Sequence, residues 1–340
     1  MDNQKFNLKQ NSFDILKYWA AFSVMFLHYT YYAFREAEQA WGFMDKLRKT
    51  SEFFPGVIVL FTISGFLISD SMERSKTKGE FLRKRVFRLY PELWLCTIVN
   101  VIVLFVIARE YLDGSIFLWL GTQVLGIANT PACLDGFATG SVNGALWTIF
   151  VEIQLYLLIC FGYEFIKKFK IYHWGILLTF LISANLFCDY LSSRQGGILA
   201  KLIERCFLPY ALWFMIGAFC YQYKDKIIKY LRYLTIPLLV IYFLLRPYAT
   251  GQPGYYVGIG ISILCPFLVI GLAYLLPKVR IKTDLTYGMF LYHWIVLNII
   301  VHYEWLSKWK WYACFLFFIM ITLFLAWSSQ KIAKKIVNRL

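Results

Sequence analysis

The sequence predicts an all-α, polytopic membrane protein of about ten transmembrane helices, with both termini on the cytoplasmic side. Three observations carry this reading. The 340 residues are 59% hydrophobic and 20% aromatic but only 16% charged, whereas a soluble domain carries about 45–50% apolar and about 25% charged residues. A soluble fold of this length has no interior for so much apolar surface, and a disordered chain would be poor in aromatic and aliphatic residues. The apolar residues also gather into runs of span length, about 17–25 residues each. Finally, Lys and Arg collect where a positive-inside orientation puts them.

In order, the expected spans are 13–34, 53–71, 89–108, 144–166, 171–191, 206–223, 233–245, 255–276, 285–301 and 311–327. The seventh is the shortest. An eleventh apolar stretch, 115–128, is interrupted by Gly121, Gln123 and Gly126 and falls about five residues short of a span. Charge decides that it does not cross. If it stays outside, about two thirds of the 35 basic residues fall on the cytoplasmic side. If it crossed, the basic clusters at 167–170, 224–232, 278–282 and after 330 would all move outside. The stretch is therefore expected to be a re-entrant or interfacial outer segment. Non-spanning backbone at membrane depth persists only where it is buried in protein or lines a cavity, which points to a site toward the outer side. The whole, 1–340, is expected to form a single integral-membrane domain without internal repeat, low-complexity tract or second soluble domain.

The net charge of +15 would suggest nucleic acid in a soluble protein. Here the basic residues are explained by cytoplasmic loops, so the bilayer is the expected partner and nucleic acid is not; a specific anionic ligand stays open. The eight cysteines are scattered, mostly in apolar runs, with no CxxC and no metal-ligand spacing. They read as small apolar residues, and no metal is expected. The polar start of the chain has no apolar core followed by a small-residue cleavage site, so no cleavable signal peptide is expected.

Ionisable residues inside spans are costly and usually mark function. In the first span these are Asp14, Lys17 and His28. Lys17 and His28 are eleven residues apart, nearly three helical turns, and so share one face about 16–17 Å apart; Asp14 lies one turn before Lys17. Lys17 also fits a snorkelling side chain, and His28 a helix-packing hydrogen bond. His is nevertheless the usual general base near neutral pH. The strongest charged feature is FLRKRVFRLYP, residues 81–91. Arg85 and Arg88 share a face if the helix begins upstream, with Pro91 kinking or starting the span. Paired guanidiniums suit phosphates; lipid headgroups and positive-inside bias are the bland alternative. In NGALWTIFVEIQLYLL, residues 143–158, Glu152 lies about two turns into the span and requires a partner or a proton. That partner is either structural or catalytic. Trp147 and Trp119 fit an aromatic belt. In LTYGMFLYHWIV, residues 285–296, His293 sits mid-span near Tyr287 and Tyr292. His173 at the inner interface and His302 in an outer loop receive no role.

Taken together and in order, these segments resemble acyltransferase family 3, the multi-pass membrane acyltransferases that modify bacterial cell-surface carbohydrates. FDILKYWAAFSVMFLH resembles the family's first-span pattern of an acidic residue, a basic residue and a His eleven positions later. LFTISGFLIS, with Ser64 and Gly65, resembles its small-residue second span. RKRVFRLYP resembles its paired-arginine element, LWTIFVEIQLY its Trp-to-Glu element, and TYGMFLYHWIV its late Tyr/His element. The blocks run from residue 13 to 296. Lys17 stands where the family usually has Arg, which keeps the charge and loses the bidentate fork. Thr286 stands for a usual Ser. Some relatives carry a soluble esterase-like domain that this sequence does not show.

The resemblance implies a protein of the bacterial cytoplasmic (inner) membrane. It would transfer an acyl group, most often acetyl, from cytoplasmic acyl-CoA to a sugar hydroxyl outside. The acceptor would be a surface glycan or lipid-linked saccharide, such as lipopolysaccharide or exopolysaccharide. Arg85 and Arg88, with Lys17 in support, would hold coenzyme A phosphates. His28 would be the general base or an acyl relay, with Glu152 orienting or charge-balancing it. Asp14 would steady Lys17, and His293, Tyr287 and Trp147 would support substrate or proton transfer. Two rivals stay open at this point: a transporter or flippase of a lipid-linked sugar, and an acyltransferase for a non-glycan acceptor.

Overall fold

Long apolar runs satisfy their backbone in lipid only as helices or closed barrels, and helices are what this chain forms. The structure, a computed structural model, describes residue 8 and residues 10–36, 41–195, 197–248, 258–279 and 281–339, with no strand among them. The helices are α1 (Phe13–Glu36), α2 (Trp41–Ser51), α3 (Gly56–Glu73), α4 (Lys78–Ile107), α5 (Ser115–Leu125), α6 (Leu146–Ile166) and α7 (Ile171–Gln195). They continue as α8 (Gly197–Arg205), α9 (Ala211–Gln222), α10 (Lys224–Leu245), α11 (Ile259–Leu275), α12 (Thr286–His302), α13 (Trp305–Lys308) and α14 (Trp311–Val337). Among the described residues, six stretches are long and apolar enough to cross a membrane: Arg48–Glu73, Lys78–Ile107, Leu146–Ile166, Ile171–Arg194, Lys224–Tyr248 and Trp311–Val337.

Several helix ends differ from the apolar runs. The third run, expected from 89, belongs to a helix that starts at Lys78 and carries Pro91 in its interior. The seventh, expected from 233, starts at Lys224, and the last, expected to end at 327, continues to Val337. In each case the added turns hold Lys or Arg, which a hydropathy window rejects. A helix accepts them at the interface because their stems lie along apolar surface and their heads reach water. The sixth run shortens to Ala211–Gln222, because Pro209 and its restriction on Leu208 interrupt the chain between α8 and α9. The polar N-terminal residues 1–7, part of the first outer loop (37–40), the start of the eighth run (255–257) and Arg280 in the basic stretch 278–282 lie outside the described residues.

The chain divides into two compact units; three of the divisions fall inside α1, α4 and α6, the others between α2 and α3 and between α11 and α12. The first unit draws on residues 1–20, 53–82 and 151–282. Its centre is the packing of α3 on α9, with α10 and α11 beside them. Helix α9 is apolar all round and buried all round, as such a helix must be. Its approach to α3 is set by glycine. A Cβ on Gly65 would lie 1.9 Å from the Phe214 carbonyl oxygen, and one on Gly217 would lie 2.1 Å from that of Thr62. Small residues let helix backbones meet in this way in membranes.

The second unit draws on residues 21–52, 83–150 and 283–340. Helix α12 packs on α14 and is buried on nearly every side. The outer stretch expected at 115–128 is the eleven-residue helix α5, about 16 Å long against an apolar core of about 30 Å. Ser115 starts it, donating from N–H (2.8 Å) and Oγ (2.6 Å) to Asp113 Oδ1; these bonds hold the Asp113 carboxyl below the usual carboxylate range. Gly126 ends it in the left-handed region at φ 80°. Trp119 packs from α5 into a cluster with Leu104, Ala108, Ile116, Leu134 and Val142. The indole of Trp94 donates to the Val124 carbonyl at 3.0 Å, tying α5 to α4. Outward, Val106, Phe117 and Leu118 are about three-quarters exposed, as lipid-facing side chains of a membrane protein are.

Candidate active site

His28 and His293 are 265 residues apart and meet within the second unit. The distance between His28 Nδ1 and His293 Nε2 is 2.9 Å. The rings are parallel within 4°, with centroids 5.2 Å apart. That separation equals the N···N distance plus the two ring radii, so the rings meet end to end in one plane. The far nitrogen of His293, Nδ1, is 3.1 Å from the Met289 carbonyl oxygen.

This arrangement fixes the protons of the neutral pair. A carbonyl only accepts, so His293 Nδ1 carries hydrogen and donates to Met289. His293 Nε2 is then bare and accepts from His28 Nδ1–H. His28 Nε2 is left with its lone pair and no hydrogen-bond partner among the described residues. His293 is fully buried, whereas His28 keeps partial exposure. Trp294 flanks His28 with its ring turned 74° and centroids 4.6 Å apart; Phe290 and Phe318 pack on His293. The result is a base with one nitrogen tied, one nitrogen open, and apolar walls.

In the first unit, Glu152 receives Ser64 Oγ at 3.1 Å and the Tyr156 hydroxyl, both on Oε1. Its second oxygen, Oε2, carries no hydrogen bond among the described residues. Tyr156 follows Glu152 by one helical turn, and Ser64 comes from α3. Also in this unit, Lys17 Nζ lies 2.9 Å from Asp14 Oδ1, across the i,i+3 spacing of α1.

Arg85 and Arg88 lie on α4 in the second unit. The helix does begin upstream, so their i,i+3 spacing puts them on one face. Arg88 is exposed and Arg85 half-buried. Glu92 follows Arg88 by one more turn and also feels the charges of Asp284 and Lys334. Asp284 Oδ1 accepts from Thr286 N–H (3.1 Å) and Oγ1 (2.6 Å), which starts α12. Thr286 thus supplies the hydroxyl expected of a Ser there. Tyr287 donates from its hydroxyl to the Leu89 carbonyl at 3.1 Å, and Trp147 is half-buried near the start of α6. Five groups escape the sequence reading: Tyr156, Glu92, Thr139, Trp294 and Asn298. Tyr156 was detectable as the i+4 neighbour of an intramembrane carboxylate, and Asn298 as the one amide side chain within α12.

The order of these elements now meets its counterpart among known proteins. The family described as "Acyltransferase domain", acyltransferase family 3, matches residues 10–329. The chain belongs to this family. Among curated relatives, it is 25% identical over 333 residues to nodulation protein 10 of Rhizobium leguminosarum bv. viciae, covering 88% of this chain and 86% of that protein. It is 24% identical over 302 residues to an O-acetyl transferase of Shigella phage Sf6, covering 86% of each. No solved structure matches. The family match spans both histidines, both arginines and Glu152, so the residues singled out here all belong to the acyltransferase region.

Proposed function

We propose that this protein is a membrane O-acyltransferase that moves an acyl group, acetyl in the simplest case, from cytoplasmic acyl-CoA to a carbohydrate hydroxyl on the outer side of the bacterial inner membrane. In this reading one acyltransferase domain with ten spans has both termini inside. The observation that carries the proposal is the open Nε2 of His28, backed end to end by His293, in a chain of acyltransferase family 3. The relationship to the phage O-acetyl transferase supports acetyl as donor group and oxygen as acceptor.

The chemistry follows from the proton inventory. The acceptor hydroxyl donates to His28 Nε2. As its oxygen attacks the acyl carbonyl, His28 takes the proton, the new C–O bond forms, the thioester C–S bond breaks, and the proton leaves on the released thiol. His28 is positively charged in between, and its Nδ1–H bond to His293 Nε2 becomes charge-assisted and stronger at that moment. Glu152, with Oε1 fixed by two hydroxyls of the first unit, is proposed as a supporting carboxylate for turnover. Arg85 and Arg88 hold the donor's phosphates, where multiply charged oxygens suit guanidinium; Lys17, paired with Asp14 in the first unit, is proposed as a further basic group that assists donor binding. Tyr287 and Trp147 are proposed to support substrate binding.

The test is binding and turnover on detergent-purified protein. Acetyl-CoA should bind saturably to the wild type, and Arg88→Ala should weaken that binding about ten- to a hundredfold. His28→Ala should bind and fail to turn over. A well-folded wild type that binds no acetyl-CoA refutes the donor, and an active His28→Ala refutes the base.

A further inference from the structure

Within the second unit, the stretch between α5 and α6 is fastened to α12 by an unusually complete set of polar bonds. Asn298 is 5% exposed. Its Oδ1 accepts from Thr139 Oγ1 at 2.6 Å and from Thr139 N–H at 3.3 Å. Its Nδ2 donates to the carbonyls of Ser141 and Val142, each at 3.0 Å. Both hydrogens and the oxygen of this amide are therefore used. The indole N–H of Trp294, itself 8% exposed, is shared between Thr139 Oγ1 at 2.9 Å and the Ser141 carbonyl at 3.0 Å. From α1, one turn beyond His28, the Tyr32 hydroxyl donates to the Thr139 carbonyl at 2.9 Å. Gly144 closes the cage: a Cβ there would lie 2.5 Å from Trp294 Cζ2.

The indole so held is the one packed against the His28 ring. An imidazole that turns over about its Cβ–Cγ bond exchanges Nδ1 with Cδ2 and Nε2 with Cε1, so the His293 bond and the position of the open Nε2 both exist only while Nδ1 faces His293. We infer that Thr139 and Asn298 are positioning residues for acyl transfer: through Trp294 they hold the His28 ring in the orientation that leaves Nε2 open. The inference rests on the reading of His28 as the base. The buried amide of Asn298 and indole N–H of Trp294 would be costly in an apolar helix if unpaired, a cost that purely apolar packing would not incur. A fully matched set instead selects one geometry, and the part of the unit that needs one geometry is the histidine pair beside it.

Only four histidines occur in the chain, so histidine-selective 15N labelling reads the His28 tautomer directly. At about pH 8, where imidazoles are neutral, the wild type should show His28 as a single Nδ1–H tautomer. Thr139→Val keeps the shape and removes the hydroxyl. It should convert His28 to a tautomer mixture and lower kcat about ten- to a hundredfold with KM for acetyl-CoA unchanged; Thr139→Ser should restore both. A single Nδ1–H tautomer with wild-type kcat in Thr139→Val overturns the inference. Should Thr139→Val fail to fold, Trp294→Phe carries the same test, since it leaves the Thr139–Asn298 bonds in place. The spectrum does not depend on turnover, so an active His28→Ala would remove the base reading while the tautomer result still judges the positioning.

Discussion

The two pairs of basic side chains in the second unit are held in opposite ways. The histidines are built in: His293 is fully buried, the rings lie in one plane, and three of their four nitrogens are committed. The arginines are displayed: they share a face of α4, with Arg88 exposed and Arg85 half-buried. A group that must accept a proton at one point in a reaction gains from fixed geometry, because the reorganisation is done in advance. A group that grips a flexible polyanion gains from charge and reach, and tolerates motion. The comparison predicts that damage at the histidines falls on kcat and damage at the arginines on binding.

The largest effect should come from His28→Ala. General-base catalysis contributes about 10²–10⁴-fold, so turnover should fall by that range while acetyl-CoA affinity holds. Matching losses of affinity and rate in this variant would erase the distinction between the two pairs.

Arg88→Ala comes next, with Arg85→Ala beside it. A hydrogen bond to a charged group contributes about 1.5–3 kcal/mol, so each variant should weaken acetyl-CoA binding by about ten- to a hundredfold in calorimetric titration. Added salt should weaken the wild type in the same direction, most of all through the exposed Arg88. Salt-independent binding would mean that the arginines face headgroups and that the donor sits elsewhere.

Glu152 combines traits of both pairs. It is charged like the arginines and fixed like the histidines, with Ser64 and Tyr156 on one oxygen. Glu152→Gln keeps an acceptor for both hydroxyls and removes the charge. It should lower kcat about tenfold or less, with expression and acetyl-CoA affinity retained. An unchanged rate would make the carboxylate an architectural group of the first unit.

How much of this was legible beforehand follows the same division. The helices were legible, because apolar runs in lipid have few ways to satisfy their backbone. Their ends were not, since Lys78 and Lys224 start helices that a hydropathy count begins later. The failure of 115–128 to form a full-length helix was legible from its glycines and from charge. Individual site residues were legible because an ionisable side chain in a span stands out: His28, His293, Glu152 and Lys17 were all visible as types. Their partners were not. The contact of His28 with His293 crosses 265 residues, and that of Ser64 with Glu152 crosses 88; only the fold brings them together. Thr139, Trp294 and Asn298 were passed over because uncharged side chains do not stand out in an apolar stretch, and only their mutual bonding sets them apart.

The smallest effect sharpens the comparison most. Lys17 stands where the family usually has Arg, and its ammonium is braced by Asp14 at 2.9 Å with side-chain exposures of 13% and 34%. If Lys17 acts as the arginine pair does, by charge, then Lys17→Arg should leave acetyl-CoA affinity and kcat within about twofold, because the guanidinium supplies the same charge to the same carboxylate. If it acts as the histidines do, by geometry, the larger planar fork will not fit a site built around an ammonium, and the rate should fall about tenfold. Lys17→Met separates charge from stem length: under the charge reading it weakens donor binding, while Lys17→Arg does not. The twofold outcome is the expected one, since an ion pair between residues one helical turn apart constrains only the head of a long, flexible side chain, and a side chain of that kind contributes field rather than placement.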